Sequence, residues 1–326
     1  MKSWLELDHF VFSEMKKHNI SKRDFVVCVS GGADSMALAS IFGRLVRPHS
    51  LKLFHFHHGD FANREFRDQA MVLVQNLAQT LGVELKIAKA SRTLRSEREF
   101  REARLLALKE FLQTMRKTQG HSESRDEVLV WGHHAQDLLE TRLIRLIRGA
   151  GPEGLVGMSV WKRPHFRPLL TRSRAEIRKY LQLRKIDFLE DPSNQDPRFL
   201  RNWLRHEWLP RLEAKRKGSL SSLSDSLETI VKAVGSQKPE AELGYRRQAN
   251  EMYLDRCIFL TLSEFDQNRA LALLLYENGC RDFRQSHLME IKKHLDNGRK
   301  EHRIKVAGLF VVVNAERIMV ESKPVF

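Results

Sequence analysis

The stretch "SGGADS", residues 30 to 35, follows the apolar run "FVVCV" (25 to 29) and precedes "MALASIFGRLV". A short β-rich run, two adjacent glycines and a helix-compatible segment read as strand, tight turn and helix. The start of a helix presents unpaired backbone N–H groups and the positive end of the helix dipole at such a turn. Gly31 and Gly32 carry no Cβ, so an anion can come close to the backbone there. A phosphate-bearing ligand meets these conditions. A plain strand-to-helix turn with Asp34 or Ser35 as N-cap meets them too, and six residues do not choose between the two.

On either side, strands alternate with helices. An amphipathic helix is expected over 5–18, before the strand at 25–29. Further strands are expected at 51–56, 83–90 and 127–132, separated by "FRDQAMVLVQNLAQTLG" and "SEREFREARLLALKEFLQTMRKT", whose apolar residues recur at helical spacing. Such alternation predicts right-handed βαβ crossovers, hence an α/β fold with a doubly wound parallel sheet. Ligands of these sheets bind beyond the carboxyl ends of the strands. "SGGADS", "HHGD" (57–60) and "GHHAQD" (132–137) all fall at that end, so three polar loops converge on one crevice. Downstream, Thr171 or Ser173 can cap a helix whose first turn ends near Glu176.

The composition changes at "KRKGSLSSLSDS" (215–226), towards Ser, Lys and Gly. The expected division is an α/β domain over 1–215 that carries the three loops, a helical linker over 216–240 with its helix at 219–235, and a small α+β domain over 241–326. In the last, "QNRALALLLYENG" and "QSHLMEIKKHLDNG" read as helices, and "HRIKVAGLFVVVN" and "ERIMVES" as two strands.

Among the 326 residues, 56 Lys and Arg against 41 Asp and Glu give a net charge of +15. A chain this basic suits a polyanionic partner, because each phosphate contact releases condensed counterions. No helix pairs a basic face with a broad apolar one, which favours nucleic acid over a membrane surface. No stretch has the apolar length of a membrane span, the N-terminus has no signal-peptide core, and a cytoplasmic location is the default. The 3 cysteines, Cys28, Cys257 and Cys280, are scattered and encode neither a disulfide framework nor a zinc knuckle.

Further stretches carry a family resemblance: "HHG" (57–59), "GHHAQDLLETRLIRLIRGAG" (132–151), "RPLLTRSRAEIRKYL" (167–181) and "EDPSNQDPRFLRNWLRHEWLP" (190–210). Together with "SGGADS" they resemble the bacterial tRNA(Ile)-lysidine synthetases, within the PP-loop ATP pyrophosphatase superfamily. The similarity is strong over the first two thirds of the chain; the remainder looks like the family's first C-terminal domain. The resemblance implies an ATP-dependent ligase acting on tRNA(Ile) with a CAU anticodon. The wobble cytidine is adenylated at its C2 carbonyl oxygen with release of pyrophosphate. Free L-lysine then displaces AMP through its ε-amino group to leave lysidine. A homodimer is also implied.

The residues can be read beside that resemblance. Position 34 is acidic where a Walker A loop would place a lysine. A carboxylate beside a triphosphate requires an intervening cation, so Asp34 is read as a Mg²⁺ ligand. Ser30, Gly31, Gly32, Ala33, Asp34 and Ser35 then cradle the phosphates. His58 carries over as nucleotide-proximal, whereas His57 stands where the family has an acid. His133, His134, Asp137, Glu140 and Thr141 match the family pattern, while Gln136 and Leu138 depart from it. His133 is expected to approach the reacting base, with an imidazolium or a nearby arginine stabilising charge on the α-phosphate. Asp137 completes the catalytic set with Arg104, the third arginine of "SEREFREARLLAL". Arg142, Arg145, Arg201, Asn202 and Arg205 are candidate tRNA contacts, against a solvated helix face for the first two. Trp203 and Trp208 are expected to pack rather than stack on bases. Rival readings are a PP-loop tRNA thiolase, an amidating ligase, and an RNA-binding relative without catalysis.

Overall fold

The first helix, α1 (Glu6–Lys17), buries Leu7, Val11 and Met15 at intervals of four residues, one stripe of an amphipathic helix. The computed structural model describes residues 4–59, 63–90, 97–118, 127–191, 196, 198–235, 240–248, 251–280, 283–295 and 301–321. The chain divides into two compact units, Met1–Leu139 with Met158–His206, and Glu140–Gly157 with Glu207–Phe326.

In the first unit, β1 (Phe25–Cys28) leads through the glycine loop into α2 (Ala33–Leu45), as the motif demands. Next come β2 (Leu51–His57), α3 (Arg64–Leu81) and β3 (Glu84–Lys89), with Gly82 closing α3 in the left-handed region at φ +66°. Then α4 (Glu97–Thr118) crosses back to β4 (Val128–Val130), which feeds α5 (Ala135–Ile147), a helix whose residues from Glu140 on belong to the second unit. A short hairpin, β5 (Trp161–Lys162) and β6 (His165–Phe166), precedes α6 (Arg174–Arg184). Ser173 rather than Thr171 caps α6, its Oγ accepting from Glu176 N while Glu176 accepts from Ser173 N at 2.7 Å. The unit continues into α7 (Leu200–Trp203).

The strand order is β3-β2-β1-β4-β6-β5. Phe25 lies opposite Leu51 on one side and Val128 on the other, both parallel pairings. The chain moves outward from β1 to β3 and then returns to β4 on the opposite flank. The β1/β4 boundary is therefore the topological switch point, where such sheets open a crevice. Helices cover both faces, and this explains why the central strands read as continuous apolar runs. Phe25 and Val27 pack with α1, α2 and α6 residues, while Val26 packs with Leu108 and Phe111 of α4. Sequence periodicity misses the β5–β6 hairpin, whose strands are only two residues long, and β5 pairs antiparallel with β6.

A single π-helical turn over Leu204–Trp208 carries the chain from the first unit into the second, where α8 (Leu209–Lys215) is followed by α9 (Ser219–Gly235), the helix expected at 219–235. Beyond them lie β7 (Tyr245–Gln248), β8 (Glu251–Asp255), α10 (Arg256–Thr261), α11 (Glu264–Glu277) and α12 (Gln285–Lys293), then β9 (His302–Val306), β10 (Leu309–Val313) and β11 (Arg317–Val320). They form a five-stranded sheet in the order β7-β8-β11-β10-β9, antiparallel at every described pairing. "HRIKVAGLFVVVN", read as one strand, is a hairpin: Ala307 and Gly308 take φ of +45° and +87°, the two-residue turn that matches strand twist. β7 escapes sequence reading because only Tyr245 of its four residues is buried. Ile304, Val311 and Ile318 face Leu271, Leu274 and Leu275 of α11 in one core. No described helix is long and apolar enough to cross a membrane.

Candidate active site

The glycine loop joins the buried end of β1 to the first turn of α2. Gly31 takes φ of +88°, which glycine adopts without steric cost. A Cβ built there would stand 2.9 Å from Ala70 Cβ of α3, so a larger residue is disfavoured twice over. Ser35 Oγ donates to Gly32 O at 3.0 Å and accepts from Ser30 N at 3.0 Å, holding the turn closed on itself. The N-cap is Gly32, and no side chain caps α2. A turn capped by Asp34 or Ser35 is therefore not what the sequence builds.

Gly132, at the end of β4, packs against that first turn. A Cβ there would lie 3.1 Å from both Asp34 C and Ser35 N. This close approach sets the next two residues beside Asp34. His134 Nε2 lies 3.7 Å from Asp34 Oδ2 and 3.5 Å from Asp137 Oδ2. Asp137 Oδ2 also accepts the His134 amide at 3.0 Å, and Asp137 Oδ1 accepts from Arg205 Nη2 at 2.9 Å. A carboxylate, an imidazole, a second carboxylate and a guanidinium thus form one chain.

Burial acts strongly on these groups. Desolvation raises the Asp34 pKa, against the attraction of His134 and with the repulsion of Asp137. Burial alone would raise Asp137 as well, but His134, the His134 N–H, His133 and Arg205 together hold it below the usual carboxylate range. Burial lowers His133 to about 4, with Arg167, Arg104 and Arg201 pushing the same way against Asp137. His58 also falls to about 4, through burial and then Arg104 and Arg67. Both imidazoles are neutral at pH 7, so the expected imidazolium gives way to its alternative, arginine, as the cation. Cys28 is pushed up to about 12 by burial and remains a thiol.

Asp34 Oδ1, His58 Nδ1, Arg104 Nε, His133 Nδ1 and His134 Nδ1 are buried with no hydrogen-bond partner among the described residues. Each such orphan costs about 1–3 kcal/mol, and native proteins tolerate them where a ligand completes the site. For a divalent cation the decisive atom is Asp34 Oδ1, a desolvated carboxylate oxygen beside the phosphate-sized turn. The donor set fits a hard cation that takes its remaining oxygens from phosphate and water.

The departures from the family pattern have local explanations. His57 is buried, accepts the Gly59 amide on Nδ1 at 3.2 Å and donates from Nε2 to Asp68 Oδ1 at 3.1 Å. Gln136 Oε1 accepts Arg174 N at 3.2 Å, tying α5 to the start of α6.

A family model for the PP-loop domain matches residues 7–212. A tRNA(Ile)-lysidine synthase of Bdellovibrio bacteriovorus is 42% identical over 317 residues, covering 97% of this chain and 98% of that protein. This chain belongs to the tRNA(Ile)-lysidine synthase family. Its relatives include the synthases of Pseudomonas aeruginosa, 37% identical over 57% of this chain and 41% of that protein, and of Haemophilus influenzae, 34% identical over 62% and 46%. The chain thus spans nearly all of the Bdellovibrio protein and about half of the longer family members. Among solved structures, the U34-tRNA thiolase NcsA of Methanococcus maripaludis superposes with a TM-score of 0.51 at 16% identity, over 70% of this chain and 79% of that one, a likeness of fold alone.

The residues that family membership made candidates do not all meet. Asp34, His58, Arg104, His133, Asp137, Arg201 and Arg205 belong to the first unit. Arg104 on α4 lies 5.6 Å from the Trp131 ring centre, beside the β4 exit. Asn202 is turned inward, Nδ2 donating to Asp196 O at 3.0 Å. For Arg142 the structure overturns the expectation. Arg142 is buried in the second unit, Nε on Leu155 O at 3.0 Å and Nη2 on Glu228 at 2.7 Å. Arg145 donates to Gly154 O at 2.6 Å. Arg142 is covered where sequence spacing suggests an open face, while Arg145 on the next turn is half-buried. Trp203 and Trp208, expected to pack, are 40% and 37% exposed. Sequence reading missed His134 as the link between Asp34 and Asp137; its adjacency to His133 in "GHH" was the available signal.

Proposed function

We propose that the chain seats ATP with its triphosphate against residues 30–35 and adenylates the wobble cytidine of a CAU-anticodon tRNA(Ile). The observation that carries this is the orphaned Asp34 Oδ1 at the uncapped start of α2, one imidazole away from Asp137 and Arg205. Asp34 would hold Mg²⁺, which when bound neutralises the phosphates and the departing pyrophosphate. Ser30 and Ser35 would bind phosphate oxygens, and His58 would lie close to the nucleotide. In the first step the cytidine C2 carbonyl oxygen attacks the α-phosphorus and pyrophosphate leaves. In the second, the ε-amine of L-lysine attacks C2, AMP leaves with that oxygen, and the amine loses its proton.

Arg104 and Arg201 would supply the positive charge that the α-phosphate gains against, since His133 is neutral near pH 7. Neutral His133 can orient the base through a hydrogen bond. Asp137, kept ionised and clamped by Arg205, would hold the His133–His134 turn in place. Arg205 and Asn202 then act by shaping the site, and Arg201 remains the arginine of this segment best placed for RNA. The functional division into 1–215, 216–240 and 241–326, with the last part gripping tRNA, belongs to the same reading. So do a homodimer and a cytoplasmic location, both implied by the family and open to sedimentation and fractionation.

The test is a reaction with ATP, Mg²⁺, labelled L-lysine and a CAU-anticodon tRNA transcript. Lysine should enter the tRNA in step with AMP release. Pyrophosphate release that delivers no lysine to the tRNA, or lysine incorporation that survives Asp34→Ala, would overturn the reading.

A further inference from the structure

Phe199 and Trp203 form one open aromatic turn. The Trp203 amide donates to Phe199 O at 3.0 Å, so the N-cap Phe199 and the last residue of α7 stand one turn apart. They are 46% and 40% exposed. Arg198, His206 and Trp208 on this stretch are exposed as well, while other neighbours turn inward. Asn202 and Leu204 are buried, and Arg205 reaches inward to Asp137. Arg201 is close enough to His133 for its charge to act on that imidazole. One short helical segment thus extends cations towards the reacting crevice and leaves two large rings in water beside it.

The geometry points to the Phe199–Trp203 pair as a stacking platform for an unpaired nucleobase of the RNA loop that delivers the cytidine. This rests on the proposed function and adds to it the surface that holds the loop. An RNA loop fits better than a protein partner for two reasons. Over 196–207 the arginines Arg198, Arg201 and Arg205 outnumber the carboxylates Asp196 and Glu207, with Arg198 paired to Asp196 and Arg205 to Asp137, and the platform adjoins groups arranged for a nucleotide reaction. RNA loops are recognised through bases splayed out onto aromatic rings, with arginines on the flanking phosphates. Each base–aromatic stack contributes enough that removing the ring weakens binding by roughly 5- to 150-fold.

The experiment uses the full chain and a CAU anticodon stem-loop carrying 2-aminopurine at the positions flanking the wobble cytidine. Stacking on a ring quenches the probe, so the wild-type chain should bind with quenching. Phe199→Leu and Trp203→Leu should each weaken stem-loop binding about ten-fold and abolish the quench, whereas Trp203→Phe should stay within about three-fold of wild type. Melting temperature and binding of a fluorescent ATP analogue, read on the same samples, should be unchanged because neither residue touches the nucleotide site. If the wild-type chain neither binds nor modifies the RNA, the proposed function fails. If it does both while the leucine variants bind equally well, the platform fails. Loss shared equally by Trp203→Phe and Trp203→Leu, or self-association that the leucine variants abolish with RNA binding intact, would overturn it as well.

Discussion

Arg205 Nη2 lies 2.9 Å from Asp137 Oδ1, joining residues 68 apart in sequence. The pair is partly buried, with side chains 22% and 15% exposed. Removing one partner of such a pair leaves a desolvated charge behind, at a cost of about 3–5 kcal/mol. Arg205→Ala should therefore lower the melting temperature and slow lysine-dependent AMP release at least about 100-fold. The double variant Arg205→Ala with Asp137→Asn should recover stability but not activity. Thermal melts and single-turnover rates on both check this; additive losses of stability would show that the pair carries no coupling.

Asp34 presents the opposite balance. Its carboxyl is held in a desolvated position that raises its pKa, with Oδ1 unsatisfied. Asp34→Asn keeps the shape and removes the charge, so the melting temperature should hold or rise by a few degrees, following the usual gain of about 0.5–2 kcal/mol when functional strain is relieved. Pyrophosphate release should vanish. A variant that melts lower and still releases pyrophosphate would contradict both halves.

How far the sequence alone reaches can be judged residue by residue. The sheet, the helix bounds near 33, 81 and 174, and the convergence of three loops follow from periodicity and turn chemistry, which are local. Asp34 and the glycines follow from their motif. Arg142 was misread because helical spacing identifies a face without revealing what covers it, and its partners Leu155 and Glu228 come from outside its helix. Asp8 was equally invisible. It sits fully buried on α1, accepting from Tyr180 Oη at 2.9 Å and Arg184 Nη2 at 2.5 Å, two partners more than 170 residues away. The neutrality of His133 depends on burial and on three arginines from distant segments. Contacts between segments remote in sequence leave no periodic trace.

Gly132 is a test of close packing rather than of backbone freedom. A methyl group there would meet the backbone of Asp34 and Ser35 at 3.1 Å, tighter than ordinary contact, and backbone cannot swing aside. Gly132→Ala should displace the first turn of α2 and cost about 1–3 kcal/mol, the usual price of overpacking. Affinity for ATP should fall at least ten-fold while stem-loop binding through residues 199–205 changes little. Equal losses of both affinities would indicate general unfolding instead.

Arg142 and Arg201 give a paired contrast. Truncating Arg142 orphans the Leu155 carbonyl and leaves Glu228 without its 2.7 Å partner. A loss of about 1–3 kcal/mol is expected, appearing as earlier unfolding, with the salt slope of RNA binding unchanged. Arg201→Ala should show its effect in binding instead: RNA affinity down, and the slope of log affinity against log salt reduced by about one. If Arg142→Ala also reduces that slope without destabilising the chain, its side chain contacts phosphate after all.

His58 makes the acid side of the stability curve testable. In the folded chain burial, Arg104 and Arg67 lower it to about 4, whereas an unfolded histidine titrates near 6.5. Between those values the unfolded chain holds a proton that the folded one refuses, so stability is lost as pH falls through this window and is insensitive to this group above it. One proton over the 1.5 units below pH 6.5 amounts to about 2 kcal/mol by pH 5. His133, shifted to the same value, adds a similar loss. His58→Gln cannot take up the proton in either state, so between pH 7 and pH 5 its stability should fall by about 2 kcal/mol less than that of wild type, read from urea midpoints. A variant whose pH dependence overlays the wild-type curve would mean that His58 is as well solvated in the folded chain as in the unfolded one.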